Sequence, residues 1–256
     1  MENQTWASFS ARPANSMLRP PLALRVEPYP DESLSSVLMR LVDVNGLRSV
    51  GVLLRDAGCV AFGPLVTAEI AELSRVCRIA QSATRTMCPV EVGGRARRTA
   101  FGYAMGRHVI EARHLLVRER ERVCPLCLHE DGIMLAVHRL TWMTACPVHG
   151  VQLLDVCPEC EKPIAVTRPN MVRCRCGLDF SRTSPITCTL EEAENAHYLY
   201  QCWCLPTTSG SGLSEGLIAV EKRVDRQRAV ELRSGSSTID RRRVPLYQIR
   251  NALGFS

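Results

Sequence analysis

A mainly α fold with small zinc-ribbon β modules follows from three features of the sequence. Apolar residues recur at helical spacing between Leu34 and Met87, cysteine pairs follow one another at metal-ligand spacing between Cys124 and Cys176, and aromatic content is only 5%. Arg-rich segments interrupt the apolar patterning, which argues against a large sheet. At 46% hydrophobic residues over 256 positions, the chain carries enough apolar surface to bury a core. The order predicted is a flexible lead-in over 1–27, a helix-turn-helix-like helical domain over 28–112, and a tandem zinc-ribbon region over 113–188. C-terminal helices over 189–233 and a basic tail over 234–256 complete it.

The lead-in scatters Pro, Ser and Asn and has no apolar stretch beside a cleavage site, so it does not read as a signal peptide. At Pro28-Tyr29-Pro30-Asp31 the prolines end an extended run, and Asp31 is placed to cap a helix. Leu34, Val37, Leu38, Leu41 and Val42 give that helix a core face, and Asn45-Gly46 supplies its left-handed stop. Further short helices follow, one with Leu53 and Leu54 and another with Leu65, Ile70, Leu73, Val76 and Cys77, separated by Gly58 and Gly63-Pro64. A polar turn at Gln81-Ser82 before Ala83 to Met87 is compatible with a helix-turn-helix. Plain helical packing outweighs a nucleic-acid-reading helix there, because short helix pairs are common. Gly93 to Arg98 reads as a basic loop. Ala112 to Val123, carrying Arg113, Arg118, Arg120 and Arg122, reads as a strand or helix with a solvated, salt-bridged face.

The strongest chemistry lies next. Cys124-Pro-Leu-Cys127 is followed after eighteen residues by Cys146-Pro-Val-His149. Zn²⁺ takes four soft or borderline ligands in a tetrahedron, and a two-residue gap lets one turn aim both side chains at one ion. The pattern repeats with Cys157-Pro-Glu-Cys160 and Cys174-Arg-Cys176, the last pair with a single residue between its ligands. A redox pair or buried structural cysteines would leave a lone pair, not two pairs each closed by a matching one. Both sets are complete, with no position open for water, so two structural Zn²⁺ are predicted. Cys59, Cys77, Cys88, Cys188, Cys202 and Cys204 have no such partners and read mostly as small core residues. His129 and His138 lie near the first set in sequence, but His149 completes the knuckle. Counting seven thiolates and two Zn²⁺ lowers the formal net charge of +6 to about +3, so net charge alone argues weakly for nucleic acid.

Two stretches resemble the TniQ/TnsD family of transposon target-selection proteins. One is Pro30-Asp31-Glu32-Ser33-Leu34-Ser35-Ser36-Val37-Leu38-Met39-Arg40, closed by Asn45-Gly46. The other runs from Arg122-Val123-Cys124-Pro125-Leu126-Cys127-Leu128 through Trp142, Thr144 to Gly150 and Leu153-Leu154 to Cys157-Pro158-Glu159-Cys160. The second is the more specific, and the likeness covers roughly Val26 to Phe180. It implies an adaptor with no catalytic centre that recognises attachment DNA or an RNA-guided effector complex, as in CRISPR-associated transposons, and recruits a TnsC-like AAA+ ATPase. Where family members often carry a further aromatic, this chain has Val137-His138-Arg139-Leu140. It is also shorter than the attachment-site readers, which favours docking on another complex.

In the last third, Thr189-Leu190-Glu191-Glu192 is a capping box opening a helix to Leu205, with Ala193, Ala196, Tyr200 and Trp203 as its buried face. Thr207 to Gly216 reads as a connector, and Leu217, Val220 and Val224 as a helix bearing Lys222, Arg223, Arg226 and Arg228. Ser234 to Ser237 breaks it, and Arg241-Arg242-Arg243 begins the tail. Pro206 and the Thr/Ser/Gly run exclude a membrane span from the longest uncharged stretch, Asn195 to Ser214. A cytoplasmic adaptor is therefore expected, as a monomer or homodimer and without a membrane role. The alternative is an independent zinc-ribbon transcription regulator reading DNA through Ala83 to Met87. An enzyme is not expected, since neither an open zinc position nor a nucleophile-base pair is found.

Overall fold

The computed structural model describes residues 20–59, 65, 67–92, 102–110, 115–117, 120–168, 170–205 and 212–234. The predicted break at Gly63-Pro64, the basic loop at 93–98, residues 1–19 of the lead-in and the tail from 235 lie outside them. α1 (Leu34–Val44) buries the apolar face that its spacing predicts. Its cap is Ser33, whose Oγ accepts from Ser36 N at 3.2 Å. Asp31, the predicted cap, instead adopts a left-handed backbone (φ 56°) and accepts from Trp203 Nε1 at 2.9 Å. The helix ends at Asn45-Gly46 with Gly46 at φ 63°, as expected.

Glu32 explains the composition of this opening. Fully buried, its carboxylate accepts from Ser36 Oγ at 2.6 Å, Arg40 Nη1 at 2.7 Å and Tyr29 N at 3.0 Å. Arg40 also stacks over the Tyr29 ring at 4.6 Å. The same segment is stitched to residues 134–136: Ser33 N donates to Met134 O at 2.8 Å, Met134 N to Ser36 Oγ at 3.1 Å, and Ala136 N to Asp31 O at 2.8 Å. Helix start and cysteine-rich region are thus joined by hydrogen bonds across about a hundred residues of chain.

α2 (Val50–Asp56) is capped by Ser49, and α3 (Thr67–Cys77) packs on α4 (Gln81–Met87) through Ser74 Oγ and Thr84 Oγ1 at 2.8 Å. The turn between them lies at Arg78 to Ala80, with Arg78 at φ 58°. Gln81 and Ser82, predicted as the turn, already belong to α4. Leu65 pairs with Val90 in a parallel bridge and is not helical. A three-stranded antiparallel sheet follows, in the order β1 (Val90–Val92), β2 (Gly102–Met105), β3 (His108–Ile110). Val90 pairs with Ala104, and Tyr103 with Ile110.

Near the C-terminus, α6 (Leu190–Cys204) carries the predicted capping box: Glu192 N donates to Thr189 Oγ1, and Thr189 N to Glu192 Oε2. Its buried residues are Asn195, Ala196, Leu199 and Trp203, while Ala193 and Tyr200 are half-buried. α7 (Gly212–Ser234) starts five residues earlier than its apolar pattern suggests, so residues 212–216 of the predicted connector are helical. Among the described residues, no helix is long and apolar enough to cross a membrane.

These elements build two apolar cores. One joins α1–α4 to Val123, Leu128, Met134, Leu154, Cys157, Ile164 and Phe180; the other joins the sheet to Cys124, Cys127, Trp142, Cys146, α6 and α7. Trp203 ties the second core to the segment that leads into α1. It is buried, donates to Asp31 and gives its carbonyl to His108 Nε2–H at 2.8 Å. A tryptophan of this kind removes roughly 150–250 Å² from water, worth on the order of 4–6 kcal/mol.

Candidate metal centres

α5 (Pro125–Glu130) supplies the first two candidate ligands. Cys124 is its N-cap, with Sγ accepting from Cys127 N at 3.5 Å, and Pro125 occupies the first helical position. This pair therefore sits on a helix start, whereas the sequence pattern suggests a free knuckle. The other three pairs are knuckles sharing one hydrogen-bond plan. Cys146 N donates to Val151 O and Gly150 N to Cys146 O; Cys157 N donates to Lys162 O and Glu161 N to Cys157 O. Each turn closes in left-handed backbone, at Gly150 (φ 61°) and Glu161 (φ 55°). In the fourth pair Cys174 N donates to Leu178 O and Gly177 N to Cys174 O, with Gly177 at φ 99°. That turn is one residue tighter, which is why Cys174 and Cys176 need only one residue between them.

All eight candidate ligands are brought together as two groups of four: Cys124, Cys127, Cys146 and His149, and Cys157, Cys160, Cys174 and Cys176. Within each group the ligand atoms lie within 4.8 Å of one another. Zn–S bonds of about 2.3 Å and Zn–N bonds of about 2.0–2.1 Å set tetrahedral edges of about 3.8 Å between two sulfurs and about 3.6 Å between sulfur and nitrogen. His149 Nδ1 stands 3.5, 3.3 and 3.5 Å from the sulfurs of Cys124, Cys127 and Cys146, and Cys127 Sγ 3.6 Å from Cys146 Sγ. In the second group, Cys157 and Cys176 sulfurs are 3.6 Å apart and those of Cys160 and Cys174 3.7 Å. Both sets could hold a zinc-sized ion with little movement.

Crowding gives the same answer from electrostatics. Hydrogen bonds from Cys127 and then Cys146 hold the Cys124 thiol far below its usual range, while the Cys124 contact pushes Cys127 up and leads the upward shift of Cys146. Without a cation, one sulfur takes the charge and its neighbours keep their protons; a divalent ion lets all three ionise. Burial opposes protonation of His149, but Glu130 and Cys124 together carry its pKa upward. The Glu130 Oε2 to His149 Nε2 contact, at 3.0 Å, is absent from the sequence reading.

A buried cation fixes the loop between the first two pairs. Arg122 Nη1 donates to the carbonyls of Leu140, Thr141 and Met143 at 3.0, 2.7 and 2.9 Å, and burial lowers its pKa to about 10. The predicted solvated face over Ala112 to Val123 is corrected accordingly: Arg122 is buried, Glu121 pairs with Arg139 in the interior, and Arg120 pairs with Asp155 at 3.0 Å. Sequence-local charge patterning cannot reveal acceptors supplied twenty residues later. Arg113 and Arg118 lie outside the described residues.

Of the remaining candidates, His129 is exposed and outside the cluster, and His138 is fully buried, where desolvation lowers its pKa to about 4. Of the six cysteines expected mostly in the core, Cys59, Cys77 and Cys88 are buried, each pushed up to about 12 chiefly by burial, whereas Cys188 and Cys202 are half-buried and Cys204 is exposed.

The TniQ family model matches residues 23–153, more than half of the 256-residue chain. The match takes in α1 and the whole of the first cluster and stops before Cys157. No curated protein matches the chain.

Proposed function

Because the chain belongs to the TniQ family and so has a transposition-associated role, we propose that it is a zinc-braced adaptor that recognises a target and recruits the transposon's AAA+ ATPase. In this reading Cys124, Cys127, Cys146 and His149 ligate one structural Zn²⁺, and Cys157, Cys160, Cys174 and Cys176 a second. The supporting observation is that the family match spans both the α1 opening and the first cluster, which are stitched together through Ser33, Ser36 and Met134. Zinc supplies a cross-link here and no chemistry, since four protein ligands leave no position for water. The target, attachment DNA or an RNA-guided effector complex, would be met by surfaces that the two metal sites hold in register.

A pull-down of the purified chain with the transposon's AAA+ ATPase, on DNA with ATP, tests this. The ATPase is expected to be retained by the parent and lost from a Cys124→Ser/Cys127→Ser variant. A parent that retains no ATPase and instead gives a sequence-specific DNA footprint would contradict the adaptor. That outcome would favour a DNA-binding regulator, for which the exposed side of α4, with Gln81, Ser82, Arg85 and Thr86, is the observation in favour.

A further inference from the structure

We propose that Glu130 is a positioning residue of the first cluster, holding the His149 ring so that Nδ1 faces the three sulfurs. The proposal rests on the reading that this cluster binds zinc. Cys124, Cys127 and Glu130 follow one another at three-residue steps along α5 and its cap, so each lies beside the next, about one turn on. One short helix thus presents two thiolates and, one turn further on, a carboxylate.

The two nitrogens of His149 have different neighbours. Nδ1 lies 3.3–3.5 Å from three sulfurs, where a metal ligand must offer a lone pair. Nε2 therefore carries the hydrogen and donates it to Glu130 Oε2 at 3.0 Å. A carboxylate in that place fixes tautomer and ring orientation and strengthens the ligating nitrogen. His149 needs such help more than the cysteines do: it lies on a turn closed by Gly150, and its ring rotates freely about two side-chain bonds unless held. The second cluster is built from cysteines alone and has no ring to orient.

The bland reading is a surface ion pair. The Glu130 side chain is 54% exposed, and a pair of that kind contributes little to stability. The two readings therefore part company on metal affinity. Zinc competition with a chromophoric chelator on the full chain reads each cluster, with Cys176→Ser used to assign the second. Glu130→Ala is expected to weaken the first cluster about 10–100-fold and to leave the second unchanged. Glu130→Gln still accepts the Nε2 hydrogen and is expected to fall between the two. First-cluster affinities within about twofold of the parent in both variants would overturn the proposal. A parent whose first cluster takes no zinc would overturn the zinc reading beneath it.

Discussion

Cys124→Ser is expected to remove the first metal and abolish cooperative melting of the region around it. Structural zinc contributes an apparent 10–16 kcal/mol at neutral pH, comparable to or larger than the roughly 5–15 kcal/mol net stability of a whole domain. Cys124, Cys127 and Cys146 are themselves members of the second core, beside Trp142, Leu199 and Trp203. Losing the ion would remove the cross-link that holds the remaining ligands together in the interior, and the core would open at that point. Zinc content and near-ultraviolet circular dichroism on heating check this. A variant that retains both metals and melts like the parent would show that Cys124 is not needed to hold the ion.

Glu32→Ala is expected to cost about 3–5 kcal/mol, because it removes the fully buried carboxylate that Arg40, Ser36 Oγ and Tyr29 N all bond to. Arg40 would lose its carboxylate, and Ser36 Oγ the acceptor that orients it toward Met134 N. For a chain of this size each kcal/mol shifts Tm by about 2–4 °C, so a loss of roughly 6–20 °C is expected by differential scanning calorimetry. The same substitution would loosen the seam between α1 and residues 134–136, making the first core and the metal region unfold less cooperatively. A Tm within a degree or two of the parent would show that Glu32 is incidental to the seam.

What could be read from the sequence was whatever short-range chemistry dictates. The ligand spacing at Cys124, Cys146 and Cys157 is fixed by what one tight turn can aim at one ion, and the Thr189–Glu192 box by what a helix start leaves unpaired. The apolar stripe of α1 and its stop at Asn45-Gly46 are equally local. What stayed hidden depends on distant partners. Asp31 does not cap α1 because Trp203, from the other end of the chain, takes its carboxylate. Arg122 looks solvated until the loop at 140–143 folds over it. The sheet escaped notice because β1 and β3 are three residues each, too short to display an alternation. The role of Glu130 was hidden because its meaning comes from the ring nitrogen of His149, on a separate knuckle.

The arrangement also links the two clusters to different cores. The first lies within the core that holds the sheet, α6 and α7, while Cys157 belongs to the core of α1–α4, with Cys160 and Cys174 packed against it. The chain crosses between the cores several times, and between the two clusters it does so at residues 153 and 154, Leu153 lying in one and Leu154 in the other. Two ions on opposite sides of that crossing would fix the relative placement of the helical part and the C-terminal helices. An adaptor that must present surfaces to more than one partner needs such rigidity.

Whether both clusters hold zinc as structural ions is read most directly by elemental analysis of the chain purified without chelators. About two zinc per chain is expected, falling to about one in Cys124→Ser. A folded parent that carries no zinc and gains none when the ion is supplied would contradict that expectation.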